Sequence, residues 1–336
     1  MKEKFTNLDV DKLCAAVVIG RNEGQRLINC IESLKSNVEH IVYVDSGSTD
    51  NSLVDAQTHR VDSIELDLSI PFTAARARNE GAKYLVNNYP EIEFIQFIDG
   101  DCEVQPDWIE EACAFLVNHD NYAVTCGRRR ERFPEKSVYN QLCDIEWNTP
   151  IGDVKSSGGD ALIRVSAFIQ VGGYNSSLIA GEEPELCFRL RDNGWRIRRI
   201  DAEMTLHDAA MTKASQWWNR AKRSGYAYAQ GYYLHGQSLE KYNHKSTMSI
   251  LLWGGVLPLC ITLLSLLDSL FLLLFILYPL QIFRLSIKNI SHNMSIKNGA
   301  AYAVSNVCGK FPQFIGVLRF VKSHLQGRQS SLIEYK

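Results

Sequence analysis

Glu93-Phe-Ile-Gln-Phe-Ile-Asp-Gly-Asp101 is an apolar run that ends in two carboxylates separated by a residue without a side chain. A short continuous apolar run closed by a turn signal fits a strand covered on both faces. The same unit recurs upstream. Cys14-Ala-Ala-Val-Val-Ile-Gly is an apolar run ending at glycine, and Leu27, Cys30, Ile31 and Leu34 follow at helical spacing. Glu39-His-Ile-Val-Tyr-Val-Asp is another strand ending on an acid, with the turn Gly47-Ser-Thr-Asp and a helix over 51–58 behind it. Residues 61–68 read as a further strand and 74–87 as a helix. Strands and helices in alternation predict an α/β fold, a mostly parallel twisted sheet flanked by helices. In such a sheet ligands bind beyond the carboxyl ends of the strands, where Arg21, Asp45 and Asp99 all fall.

Beyond this half, the pattern predicts a strand from Ala123 running into a basic loop, Arg128-Arg-Arg-Glu-Arg132. Gly158-Gly-Asp-Ala-Leu-Ile-Arg reads as a glycine-lined approach to a strand. Residues 182–193 form a helix with acids at its N-terminal end, which suits the helix dipole. Trp195-Arg-Ile-Arg-Arg-Ile is a short strand leading towards His207, and 215–233 is a basic, aromatic helix. Asp99 and Asp101 around Gly100 can both turn towards a divalent cation, and the glycine lets a diphosphate approach closely. An Asp-x-Asp by itself is weak; Asp9-Val-Asp11 is a second instance in the same chain.

An ordered set of short motifs gives the pair its context. Val17-Val-Ile-Gly-Arg-Asn-Glu23, Val44-Asp-Ser-Gly-Ser-Thr-Asp50, Ala77-Arg-Asn-Glu-Gly81, Phe97-Ile-Asp-Gly-Asp101, Gly172-Gly-Tyr174 and Gly181-Glu-Glu-Pro-Glu-Leu186 occur in that order. With Arg189-Leu and Gly194-Trp-Arg-Ile, the set resembles family 2 glycosyltransferases, which share the GT-A nucleotide-binding fold. The resemblance implies an inverting, metal-dependent transfer of a sugar from a nucleotide-diphosphate donor, with a UDP-sugar expected first. Carried over by position, it implies that Arg21, Glu23, Asp45, Arg78, Asp99 and Gly100 bind the nucleotide and that Asp101 and His207 hold Mg²⁺ or Mn²⁺. Glu183 matches the position of the general base, where the family usually has aspartate, and as an exposed glutamate it would be ionised at neutral pH. Gly159, Asp160, Glu182, Arg220 and Arg223 are further candidates for acceptor or diphosphate contacts. Ser46 replaces an aspartate common in relatives, so the nucleotide base contact is altered.

The 336 residues carry 36 Lys and Arg against 38 Asp and Glu, a net charge of −2, and give no basic field for nucleic acid. Nine scattered cysteines without a Cys-x-x-Cys pair imply reduced thiols in a cytosolic setting. Met1 to Leu13 lacks the apolar stretch of a signal peptide. Ile250 to Phe283 is apolar apart from Asp268 and, as one helix, would be about 50 Å long against a hydrocarbon core of about 30 Å. A membrane-associated helical hairpin broken at Pro258, Asp268 or Pro279 is therefore expected. Flanking Lys and Arg place both its ends on the cytoplasmic side of the inner membrane. The organisation expected is a polar tail over 1–12, a catalytic domain over 13–240 divided near 110, a hairpin over 246–285, and an interfacial helix with a polar tail over 286–336. The acceptor expected is a lipid-linked or cell-surface glycan at a lipid surface. A bare polyprenyl phosphate acceptor and a non-catalytic sugar-nucleotide-binding scaffold are the alternatives, and a permease is disfavoured by the single short apolar region.

Overall fold

The structure, a computed structural model, describes residues 10–291 and 294–327. Most of the expected N-terminal tail and the last polar residues lie outside these. The chain forms two compact units, one of Met1–Phe133, Glu146–Leu178 and Glu182–Ala209, the other of Pro134–Ile145, Ile179–Gly181 and Ala210–Lys336.

The first unit is built on one sheet of nine strands: β1 (Cys14–Gly20), β2 (His40–Asp45), β3 (Asp62–Glu65), β4 (Phe94–Asp99), β5 (Cys102–Val104), β6 (Tyr122–Glu131), β7 (Gly152–Asp153), β8 (Ala161–Arg164) and β9 (Arg196–His207). Their order is β3-β2-β1-β4-β8-β6-β9-β5, with β7 paired to β9. The first four strands are mutually parallel. β8 then enters antiparallel between β4 and β6, and β6 runs parallel to β9. The sheet is thus parallel in its N-terminal part and mixed beyond it.

Local chemistry explains the tight centre. β1 is a run of small and β-branched residues, and Val17 and Val18 are wholly buried. The helix Ala74–Asn88 packs on it through Gly81, where a Cβ would come within 2.5 Å of Val17 Cγ1. That helix starts at Thr73, whose hydroxyl accepts the Arg76 N–H at 3.1 Å. Leu27, Ile31 and Leu34 of the helix Gln25–Lys35 are fully buried, each contributing roughly 1.5–3 kcal/mol of apolar transfer.

Register then positions the strand ends. Gly20 lies opposite Asp45 and Ile19 opposite Asp99, so β1, β2 and β4 finish at one edge. His207 pairs with Cys102 on one side and with Glu131 on the other, which sets it beside Asp101.

Two expectations change here. The short strand expected at 195–200 continues unbroken to His207, because β9 has β6 along one edge and β5 and β7 along the other. Arg128 to Arg130 do not form a solvated loop; they extend β6 against β9.

In the second unit the helices Ala214–His235 and Lys310–Leu325 pack backbone to backbone. A Cβ at Gly225 would stand 2.0 Å from the Gln313 carbonyl, and one at Gly316 2.0 Å from that of Lys222. Tyr226, Ala229, Ile250, Val317 and Phe320 close a small core around them. Two apolar helices, His244–Ser265 and Ser269–Ser291, are long and apolar enough to cross a membrane, with mean hydropathies of 1.9 and 2.0. The break between them is at Asp268, whose carboxylate accepts the Leu270 N–H at 2.9 Å and caps the second helix. Pro258 does not break the chain. It follows a π turn at Leu252–Val256, and the Trp253 carbonyl instead accepts the Tyr278 hydroxyl at 2.7 Å. Pro279 lies where the 3₁₀ stretch Ser269–Ile276 passes into the α-helix Leu277–Ser291, and the helix Ser269–Ser291 continues through it. The interfacial helix expected within 286–336 is two helices, Ile296–Cys308 and Lys310–Leu325, parted at Gly309.

Candidate active site

At the carboxyl edge of the parallel strands, Asp99 is the centre of a charge network. Arg78, on the helix Ala74–Asn88 and 2% exposed, gives one guanidinium nitrogen to Asp99 Oδ1 at 2.7 Å and the other to Glu182 Oε1 at 2.9 Å. Arg129, the middle arginine of the basic run, pairs with Asp99 Oδ2 and with Asp160 Oδ2, both at 3.3 Å. Asp160 has no exposure at all; it accepts the Asp99 N–H at 3.2 Å and the Thr205 hydroxyl at 2.8 Å. This placement sets it beneath Asp99, with ligand atoms of Asp99, Cys102 and Asp160 within 4.8 Å of one another. Gly159 lies directly over the cluster: a Cβ there would be 3.2 Å from Arg129 Nη1 and 3.3 Å from Asp99 Oδ2. Its lack of a side chain lets the chain pack this closely on the charges.

Beside this network stands a second cluster. Asp101 Oδ1 and His207 Nε2 are 3.3 Å apart, and both residues are buried. Ligand atoms of Asp101, Cys102 and His207 lie within 4.8 Å of one another. His207 Nδ1 is buried without a hydrogen-bond partner, the nearest carboxylate being Glu131 Oε2 at 3.9 Å. Burial, followed by the neighbouring Arg129 cation, draws the imidazole below its ordinary pKa, so it is neutral and free to donate a lone pair. A carboxylate and a neutral imidazole with facing donor atoms suit a divalent cation. The edge of His207 rests on the Trp147 ring at 4.8 Å, and the Arg129 guanidinium covers the same ring at 4.9 Å.

Glu183 sits at the start of the helix Glu182–Asp192 and corrects one expectation: at 6% exposure it is buried, not exposed. Its Oε1 accepts the Ser157 N–H at 2.6 Å, the Ser157 hydroxyl at 2.9 Å and the Cys187 thiol at 3.0 Å. Burial pushes its carboxyl above the ordinary glutamate range, while these donors pull the other way. Glu185, one position beyond Pro184, is committed to Arg189, with contacts of 2.8–3.0 Å. That arginine also donates to the Val171 and Gly173 carbonyls. Only Glu182 and Glu183 of the three acids are turned to the site.

On the other flank, Asp45 is 4% exposed and accepts the Tyr43 hydroxyl at 2.7 Å and the Gly47 and Ser48 N–H groups at 2.9 and 2.7 Å. It shapes the loop after β2. Arg21 donates to the Gly47 carbonyl at 3.3 Å and lies over the Phe72 ring at 5.0 Å. Glu23 is paired with Arg26 at 2.7 Å. The Gly100 N–H donates to the Ile19 carbonyl at 2.8 Å, holding the turn close to β1. Arg220 and Arg223 lie on the helix Ala214–His235, in the second unit.

Arg129, Ser157, Trp147 and Cys102 are site residues that the motif pattern did not single out. A period-two reading of 122–131 would have set Arg129 on the face opposite Arg128 and Arg130.

Comparison with known proteins follows from this geometry. Residues 16–169 match the family described as Glycosyl transferase family 2. No curated protein sequence matches the chain. Among solved structures, S. aureus TarS 1–349 is similar with a TM-score of 0.53 and 14% identity, over 94% of this chain and 92% of that one. The mannosyltransferase PcManGT from Pyrobaculum calidifontis, in complex with GDP-Man and Mn²⁺, gives a TM-score of 0.53 and 14% identity, over 92% and 87%. The chain spans 46% of the longer S. aureus TarS structure, with a TM-score of 0.49 and 14% identity over 73% of this chain. At such identity the likeness is one of fold.

Proposed function

We propose that this chain, which belongs through residues 16–169 to glycosyl transferase family 2 and has the GT-A fold, transfers a sugar from a nucleotide-diphosphate donor with inversion. The acceptor in this reading is a hydroxyl of a lipid-linked or cell-surface glycan, met at the cytoplasmic face of the inner membrane. The observation that carries the proposal is the network in which Arg78 joins Asp99 to Glu182, next to Glu183 at the same helix start, beside the facing Asp101 and His207 side chains, with Gly159 packed on Asp99.

In this mechanism Glu183 accepts the proton of the acceptor hydroxyl. The hydroxyl oxygen forms a bond to the anomeric carbon as the bond from that carbon to the diphosphate oxygen breaks on the opposite face. A raised carboxyl pKa strengthens Glu183 as a base. Ser157 and Cys187 hold its Oε1, which fixes the orientation of the carboxylate. Arg78 couples Asp99 to Glu182, so the nucleotide side and the base side are positioned by one guanidinium. Asp101 and His207 would hold the divalent ion, Mg²⁺ or Mn²⁺, which when bound neutralises charge on the departing diphosphate. Arg21, Glu23, Asp45 and Gly100 line the nucleotide side, and a UDP-sugar is the first donor to try, with a GDP-sugar beside it.

The test is a comparison of Glu183→Gln with Glu182→Gln under one metal concentration. Glu183→Gln is expected to lower turnover about 10²–10⁴-fold with donor affinity nearly intact. Glu182→Gln keeps one acceptor oxygen for Arg78 and is expected to do far less. A Glu183→Gln enzyme turning over at the parent rate, or a Glu182→Gln enzyme more damaged than it, moves the base to Glu182.

A further inference from the structure

In the helical unit, a cavity of about 330 Å³ opens among four helices, His244–Ser265, Ser269–Ser291, Ile296–Cys308 and Lys310–Leu325. Lys288 and Lys310 line it together with Gln281, Ser249, Trp253 and Leu285, and no aspartate or glutamate does. Neither lysine's ammonium group has an ion pair or hydrogen bond among the described residues. The surrounding sequence is one-sided: from 244 to 327 there are seven Lys and Arg against a single acid, Asp268. Lys288 is exposed, whereas Lys310 is half-buried, and a half-buried cation without a counter-ion costs free energy until an anion reaches it. Burial accordingly draws Lys310 below its ordinary pKa.

The position of Lys310 is fixed by backbone packing. A Cβ on Gly254 would stand 2.2 Å from the Lys310 carbonyl, and one on Gly255 2.4 Å from the Phe314 ring. The start of the helix Lys310–Leu325 therefore rests directly on the π turn at Leu252–Val256. π turns occur frequently at functional sites. Nothing in the proposed transfer chemistry uses this cavity.

We infer that this cavity binds the phosphate group of an anionic lipid, with Lys288 and Lys310 as its cationic contacts. The shared chemistry is a phosphate anion. A lipid is favoured over free phosphate because Trp253 and Leu285 continue the cationic wall into an apolar one, and exposed Leu252 and Leu280 stand on the same helices. The assignment rests on the membrane-surface reading and is independent of sugar transfer.

The full chain, purified in a neutral detergent, is titrated separately with dioctanoyl phosphatidic acid, dioctanoyl phosphatidylcholine and inorganic phosphate, and binding is read by thermophoresis. Phosphatidic acid is expected to bind most tightly, with about fivefold weaker binding for each lysine removed in Lys288→Gln and Lys310→Gln. Lys310→Arg, which keeps the charge, is expected to retain the parent affinity and guards against misreading a misfolded variant. Equal affinity for the choline lipid, or phosphatidic acid binding unchanged in a folded double variant, overturns the site. Inorganic phosphate binding as tightly as the lipid overturns the lipid assignment. Release of nucleoside diphosphate from a sugar nucleotide, measured on the same preparations, reports on the transfer reading separately.

Discussion

The two units treat charge and apolar surface in opposite ways. In the first, charges are drawn inward: Arg78, Asp101, Asp160 and Glu183 are all buried, and Asp99 alone of the central network keeps a side chain about one-third open, at 31%. In the second, apolar side chains are turned outward, with Leu266, Leu267 and Leu273 at 78%, 82% and 70% exposure. Burying ionised groups is costly unless each is paired, so a network of this kind has value as a rigid frame for a charged ligand rather than as a source of stability. Exposing a contiguous apolar surface in water is equally costly and marks a face meant for another medium. The difference teaches that the buried charge network and the exposed apolar surface are assigned to different parts of the chain.

The comparison is broken most sharply at Arg129. Arg129→Ala leaves Asp160, which has no exposure, without its cation and removes half of the clamp on Asp99. A loss of about 3–5 kcal/mol is expected, read as a fall in the denaturation midpoint together with loss of transfer. A folded and active Arg129→Ala protein would show that the network is not the frame described.

Asp101→Ala is expected to separate function from folding. It removes one buried carboxylate facing a neutral imidazole, so the fold is retained, while transfer falls by about 10²–10³-fold or more. A metal titration of nucleotide binding checks the reason: the parent is expected to respond to Mn²⁺ and the variant not to. A metal response that survives in Asp101→Ala removes Asp101 from the proposed set.

A smaller effect concerns Glu183 and pH. Its folded-state pKa is raised, so in the window between its ordinary value and the folded one the native state binds more protons than the unfolded state. Stability therefore falls as pH rises through that window, and this penalty is present at neutral pH. Glu183→Gln, with no carboxyl to ionise, is expected to match or exceed the parent's melting temperature at pH 7. The difference between the two should shrink as pH is lowered through the window. A variant that falls further below the parent at pH 7 than at pH 4 would mean that Ser157 and Cys187 stabilise the ionised form more than burial opposes it.

Much of the frame was legible because it depends on local pattern. β1, β2 and β4 are continuous apolar runs ending on Gly20, Asp45 and Asp99, and parallel register alone brings those ends together. What escaped was decided by partners distant in sequence. Arg129 lies in a run that reads as a solvated loop, and only its pairing with Asp160, 31 positions away, and with β9 brings it into the site. The same holds for Glu183, whose environment comes from Ser157, and for β9, whose full length is set by strands on both its edges. In the hairpin the prolines were read as breaks, whereas a π turn and the Tyr278 hydroxyl accommodate one of them and the helix Ser269–Ser291 continues through the other.

The smallest change in folding stability is expected where lysine replaces the most exposed leucines. A lysine at Val17 would put a charge into a fully buried strand and prevent folding, whereas Leu267→Lys and Leu273→Lys alter side chains that are already 82% and 70% exposed. The double variant in detergent should therefore unfold within about 0.5 kcal/mol of the parent. Its behaviour towards lipid should differ greatly, because a lysine held in a bilayer interior costs about 2.5–3.5 kcal/mol. Sedimentation of both proteins with vesicles of one composition measures that term, and thermal unfolding of the same samples measures the other. If the leucines face lipid, the variant leaves the vesicle pellet with its unfolding curve unmoved. If instead they are covered by a protein partner or by a second copy of the chain, vesicle association persists and the oligomeric state changes, and the outward apolar face is an assembly surface rather than a membrane one.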